Sequence, residues 1–158
     1  MPKDSFNFEH LLEKISIIIQ KAYSRDEKLL QICKLLESEI PPYNWVGFYL
    51  VDPEHPDELI LGPYIGAPTE HTRIPFGRGI CGQAAATPKT FLIQDVSKET
   101  NYLSCSIHVK SEIVVPIMKN QMVIGELDID SHQTAPFTDD DQKFLETICD
   151  KLAKNVFD

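Results

Sequence analysis

EIVVPIMKNQMVIGELDID, residues 112–130, is two runs rich in apolar and branched side chains, broken by the polar Lys119, Asn120 and Gln121. Two such runs around a short polar break predict a β-hairpin. Alternation along the second strand sends Val123, Leu127 and Ile129 to one face and Ile124, Glu126, Asp128 and Asp130 to the other. The turn decides where Glu112 goes. A three-residue loop of Asn120, Gln121 and Met122 pairs position 112 with 130 and adds Glu112 to the acidic face; a two-residue loop sends it to the opposite side. Both remain open. The acidic face has two readings as well. On an edge strand it is a solvated surface; crowded or buried, it holds a carboxyl with a raised pKa that can donate a proton near neutral pH.

Immediately upstream, residues 73–116 read RIPFGRGICGQAAATPKTFLIQDVSKETNYLSCSIHVKSEIVVP. Gly77 and Gly79 permit an irregular loop, and ICGQAAA follows as a short helix ended near Pro88. Thr90 to Val96 has strand composition. KETNYLSCSIHVK is of mixed polarity and weak periodicity, so it is expected to be a functional loop with at most one helical turn.

Further upstream, Asn44 to Val51 (NWVGFYLV) is a strand with Trp45, Gly47, Tyr49 and Val51 on one face and Val46, Phe48 and Leu50 on the other. DPEHPDE reads as a turn, LILGPYIG (59–66) as the returning strand, and residues 71–76 as a short third strand ending at Pro75. Apolar residues at helical spacing predict a helix over residues 5–22. Ser24 with Glu27 starts a second helix bearing Leu29, Leu30, Cys33, Leu36 and Ile40, ended by Pro41 and Pro42. Thr138 with Asp141 caps a last helix carrying Phe144, Leu145, Ile148, Cys149, Leu152 and Val156. Two helices, then mostly strands, then a helix imply an α+β fold with helices gathered against a largely antiparallel sheet.

The chain has 158 residues, 42% of them hydrophobic, which suffices for one domain with one core. Its 24 acidic and 15 basic residues give a net charge of -9, which disfavours nucleic acid and anionic membrane as partners. The first helix is interrupted by Glu9, His10, Glu13 and Lys14, and no basic-then-apolar signal region precedes it, so a cytoplasmic protein is expected.

Cysteines occur at 33, 81, 105 and 149 without metal-ligand spacing, so no metal site is expected. Cys33 and Cys149 lie in apolar helical stripes and are expected to be core residues. Cys81 has two readings. At a helix start beside Arg78 its thiolate would be favoured; flanked by Ile80 and alanines it would simply pack. Cys105 lies in a polar loop near Ser104, Ser106 and His108, which suits an accessible thiol.

Taken together, NWVGFYL, LGPYIG, RIPFGRGICG, QDV, SEIVVPI and GELDIDS resemble the free methionine-(R)-sulfoxide reductases, over about residues 40–150 in order. The resemblance implies one GAF domain over 1–158, with helices at 5–40, sheet and site loops at 44–131, and a last helix at 138–156. It further implies a six-stranded antiparallel sheet, a homodimer, no cofactor, and free methionine sulfoxide as substrate. Trp45 and Tyr49 match the family's aromatic wall around the sulfoxide methyl group, and Glu112, Asp128 and Asp130 its carboxylates. Cys105 matches its nucleophile, which becomes a sulfenic acid, condenses with a second thiol, and is regenerated by thioredoxin or another dithiol. The family's usual resolving cysteine falls at position 71, which is His71 in this chain; Cys81 is then the substitute resolver. Glu126 also stands where an apolar residue is usual. Two alternatives go with these departures: a GAF module that binds a small ligand without turnover, and a general thiol redox sensor.

Overall fold

The computed structural model describes residues 7–103 and 106–157. Four helices, α1 (Phe8–Gln20), α2 (Arg25–Glu39), α3 (Gly79–Ala86) and α4 (Asp139–Asn155), surround six strands. The strands are β1 (Trp45–Asp52), β2 (His55–Ile65), β3 (Arg73–Pro75), β4 (Phe91–Ile93), β5 (Ser111–Lys119) and β6 (Met122–Ser131). They form one antiparallel sheet in the order β3-β2-β1-β6-β5-β4. The fold is α+β with a six-stranded antiparallel sheet, as the sequence implied.

The period-2 alternation of β1, β5 and β6 supplies a different layer on each face. Val46, Phe48, Ile113, Val115, Leu127 and Ile129 face α1, α2 and α4, whose Ile15, Leu29, Leu36, Leu145 and Leu152 complete the main core. Burying each such side chain stabilises the fold by about 1.5–3 kcal/mol. On the opposite face Trp45, Tyr49 and Val114 join Leu59, Ile74 and the α3 residues Ile80, Cys81, Ala84 and Ala85 in a smaller cluster.

The caps carry the helix starts. The Thr138 hydroxyl accepts from the Asp141 amide while the Asp141 carboxylate accepts from the Thr138 amide, the reciprocal pattern expected from the sequence. At α2 the Ser24 hydroxyl accepts from the Glu27 amide, but the Glu27 carboxylate accepts from Gln31 instead of returning to the cap.

The central hairpin combines parts of both expected turns. Lys119 pairs with Met122 across a two-residue turn, in which Asn120 (φ 52°) and Gln121 (φ 65°) are left-handed. Continued unbroken, that register would set Glu112 against Ile129. Instead Met118 pairs with Val123 and Ile117 with Gly125, which leaves Ile124 as an extra residue, a β-bulge. The bulge shifts the register so that Glu112 pairs with Asp130. It also corrects the alternation at the strand start: Ile124 packs with the helix-side core and Val123 with the α3 cluster.

Two other boundaries differ from expectation. Asp52 pairs with His55, so the DPEHPDE turn shrinks to Pro53 and Glu54 and β2 begins four residues before Leu59. Asp52 holds that corner by accepting from the Glu54 amide and from Arg73, at 2.9 and 2.8 Å. The strand expected over 90–96 is confined to Phe91–Ile93; a 3-10 turn at Val96–Lys98 follows, capped by Asp95.

Candidate active site

The sheet sets the carboxylates in a row. On β6, Asp130 sits between Trp45 of β1 and Glu112 of β5, Asp128 between Gly47 and Val114, and Glu126 between Tyr49 and Pro116. Because β6 is an inner strand, the solvated-edge reading is wrong: Glu112 is 6% exposed, Asp128 and Asp130 2% each, and Glu126 0%. The α3 helix packs across β5 and β6 and brings Cys81 over these groups, its Sγ 3.9 Å from Glu112 Oε2. Ligand-capable atoms of Cys81, Glu112 and Asp128, from three separate elements, all lie within 4.8 Å of one another. No sequence spacing could reveal that trio. Its oxygens could accept from an ammonium group or hold a cation.

Burial dominates the electrostatics. It pushes the Asp128 carboxyl up, against smaller opposing hydrogen bonds from Glu112 and Cys81. Asp130 is pushed well above the usual carboxylate range by burial and then by the Asp128 charge, as is Glu126. One oxygen each of Asp128 and Asp130, and both of Glu126, have no hydrogen-bond partner among the described residues. Burial therefore shifts these carboxyls toward their neutral forms.

Cys81 packs, the second of its two readings. It is the third residue of α3, but burial and the surrounding Asp128, Glu126, Glu112 and Asp130 charges push its thiol well up rather than down. Part of the helix start is also spent locally, since the Gly79 amide donates to Asn101 Oδ1 at 2.8 Å. Cys33 and Cys149 are core residues as expected, buried, with their thiols against the Pro63 and Val115 carbonyls. Cys105 lies outside the described residues.

A narrow cleft opens above this face, lined by Tyr49, His71, Ile74, Gly79, Ile80, Cys81, Leu103, Glu112 and Asp128. Of the residues expected at the site, Tyr49, Cys81, Glu112 and Asp128 line it; Trp45 and Asp130 lie beside it on the same sheet face. The Tyr49 hydroxyl donates to the His71 carbonyl at 2.8 Å, which fixes the ring against the loop before β3. Trp45 donates from Nε1 to the Ala67 carbonyl and stacks on Tyr64 at 5.2 Å. Its indole lies across Gly47, where a Cβ would come within 2.4 Å of the ring.

Sequence reasoning missed the residues that hold the cleft's roof. Asn101 accepts from the Gly79 amide and donates to the Gly77 carbonyl, while Gln83 Nε2 donates to the carbonyls of Asn101 and Gly79. Gly79 has φ +67°, and a Cβ there would meet Leu103 at 2.8 Å. The two nearby glycines signalled an irregular backbone, but nothing local pointed to a partner 22 residues away.

Residues 25–156 match the GAF domain family. The chain is 39% identical to GAF domain-containing protein A of Dictyostelium discoideum, over 94% of this chain and 90% of that protein. It is also 39% identical to the free methionine-R-sulfoxide reductase of Escherichia coli, over 76% of this chain and 70% of that enzyme. The free methionine-R-sulfoxide reductase of Neisseria meningitidis, solved in complex with its substrate, superimposes with a TM-score of 0.87. That match has 37% identity and covers 94% of this chain and 87% of that one. With this sheet order, this row of buried carboxylates and these relatives, the chain belongs to the free methionine-R-sulfoxide reductase family of GAF-domain proteins.

Proposed function

We propose that the protein reduces free L-methionine-(R)-sulfoxide to L-methionine, with Cys105 as nucleophile and Cys81 as resolving thiol. The observation that carries this reading is the buried group of Glu112, Asp128 and Asp130, in which one oxygen each of Asp128 and Asp130 has no hydrogen-bond partner among the described residues, beside a cleft walled by Tyr49. An ionised member of the group can accept from the substrate's ammonium. A protonated member can donate to the sulfoxide oxygen as the S–O bond weakens. Tyr49, with Trp45 beside it, offers aromatic surface to the methyl group.

In the first step the Cys105 sulfur attacks the sulfoxide sulfur, the oxygen passes to Cys105, and methionine leaves a sulfenic acid behind. In the second, Cys81 condenses with that sulfenic acid, forming an S–S bond and releasing water. A dithiol of the thioredoxin type then restores both thiols in the cytoplasm. We take the working form to be a homodimer.

The test is a thioredoxin-coupled assay on separated epimers. Turnover of the R epimer and not the S epimer is expected, with none in Cys105→Ser. Cys81→Ser is expected to turn over with a small monothiol but not with thioredoxin. Saturable binding with no methionine formed under any reductant would favour a ligand-binding GAF module, the reading that His71 in place of the usual resolving cysteine raises.

A further inference from the structure

We propose that Cys81, Glu112 and Asp128 form a zinc site in the cleft, and that an ion bound there excludes a free amino acid. The exclusion rests on the reading of the cleft as the place of a free amino-acid sulfoxide; the site does not. The three side chains come from α3, β5 and β6, so no run of ligands marks them in the sequence. All three line the cleft, which gives an ion a way in, and they are only 5%, 6% and 2% exposed. Asp128 adds an independent sign. One of its oxygens is buried without a hydrogen-bond partner among the described residues, a costly state that a bound cation ends.

Geometry and donor type select the ion. One ligand atom from each residue lies within 4.8 Å of the other two, and Cys81 Sγ is 3.9 Å from Glu112 Oε2. A tetrahedral zinc, with Zn–S of about 2.3 Å and Zn–O of about 2.0 Å, sets sulfur and oxygen about 3.5 Å apart. The pair therefore needs to close by only about 0.4 Å. One sulfur with two carboxylates suits zinc, whereas calcium and magnesium take about six or more ligands that are nearly all oxygen. Three protein ligands leave the fourth position to water.

The ion also changes what the carboxylates do to the thiol. Ionised Glu112 and Asp128 oppose a bare thiolate at Cys81. A dication among the three offsets their charges, and the protons they carried pass to solvent as it binds. The ammonium group of an amino acid seeks the same carboxylate oxygens, so ion and amino acid are alternatives.

The experiment titrates the whole reduced protein, free of oxygen and of reductant, with cobalt(II) and then with zinc. A near-ultraviolet charge-transfer band reports a cobalt–thiolate bond. One cobalt per chain with that band, bleached by zinc, is expected. Cys81→Ser should lose the band, and Asp128→Asn, which keeps the sulfur, should bind cobalt at least tenfold more weakly with an unchanged circular dichroism spectrum. No band in the wild type, a band that survives in Cys81→Ser, or a smaller loss in Asp128→Asn overturns the site. The asparagine variant alone decides if the serine variant does not fold. Free methionine should weaken the apparent zinc affinity at least fivefold more than the same concentration of alanine, which controls for chelation in solution. A smaller difference overturns the exclusion and leaves the site standing. Sulfoxide turnover is measured separately on metal-free protein, so a failure of the reductase reading appears there and leaves the cobalt result intact.

Discussion

Asp128 is where the chemistry of single residues can be read most directly. It lies between Gly47 and Val114, lines the cleft, and has one oxygen without a partner among the described residues. A charge-assisted hydrogen bond contributes about 1.5–3 kcal/mol. Asp128→Asn is therefore expected to weaken methionine binding by roughly ten- to a hundredfold while the fold persists, a change that calorimetry and circular dichroism would register. Unchanged affinity would remove Asp128 from the ammonium subsite. At this scale the sequence named candidate residues but not their environment. It singled out Glu112, Asp128, Asp130 and Cys81, yet it left Cys81 between a thiolate and a packed thiol, and the thiolate reading came from its own helix alone. The carboxylates that reverse it sit on β5 and β6, at least 31 positions away in the chain.

The elements were legible wherever periodicity or capping was local. The helices, the two faces of β1 and the central hairpin followed from pattern, and so did the Thr138 cap. The hairpin's register did not, because one bulged residue, Ile124, reconciles a two-residue turn with the Glu112–Asp130 pairing, and no propensity marks that position. The cleft's roof was invisible for a related reason: its fastening is Asn101, whose partners Gly77 and Gly79 belong to another segment. Asn101→Ala removes both bonds and leaves the Gly79 amide without this partner. It is expected to cost about 1–3 kcal/mol of stability and to raise KM more than it lowers kcat, seen in urea melts and steady-state kinetics. If KM and stability both stay at wild-type values, Asn101 does not order the roof.

For the whole molecule, two groups of carboxylates give opposite pH dependences. Hydrogen bonds to Arg73 and to the Glu54 amide lower the Asp52 pKa from 3.8 to about 2, so their contribution is present above pH 3.8 and lost as the pH falls toward 2. Asp128, Asp130 and Glu126 are raised in the fold, so the native state holds protons that the unfolded chain releases at an ordinary pKa of about 4. Their contribution therefore declines as pH rises above that value. Thermal stability should peak in mild acid, fall below about pH 4 and fall again toward pH 8, with Asp128→Asn flattening the upper decline. A profile that rises steadily from pH 5 to 8 would contradict the buried acidic layer. The central claim, that this layer serves reduction of a free amino-acid sulfoxide, is tested most directly by single turnover: protein reduced, freed of reductant, and mixed with each epimer of methionine sulfoxide. The expected result is about one methionine per chain from the R epimer, with none from the S epimer and none from Cys105→Ser. No methionine from the R epimer, or an equal yield from both epimers, would contradict it.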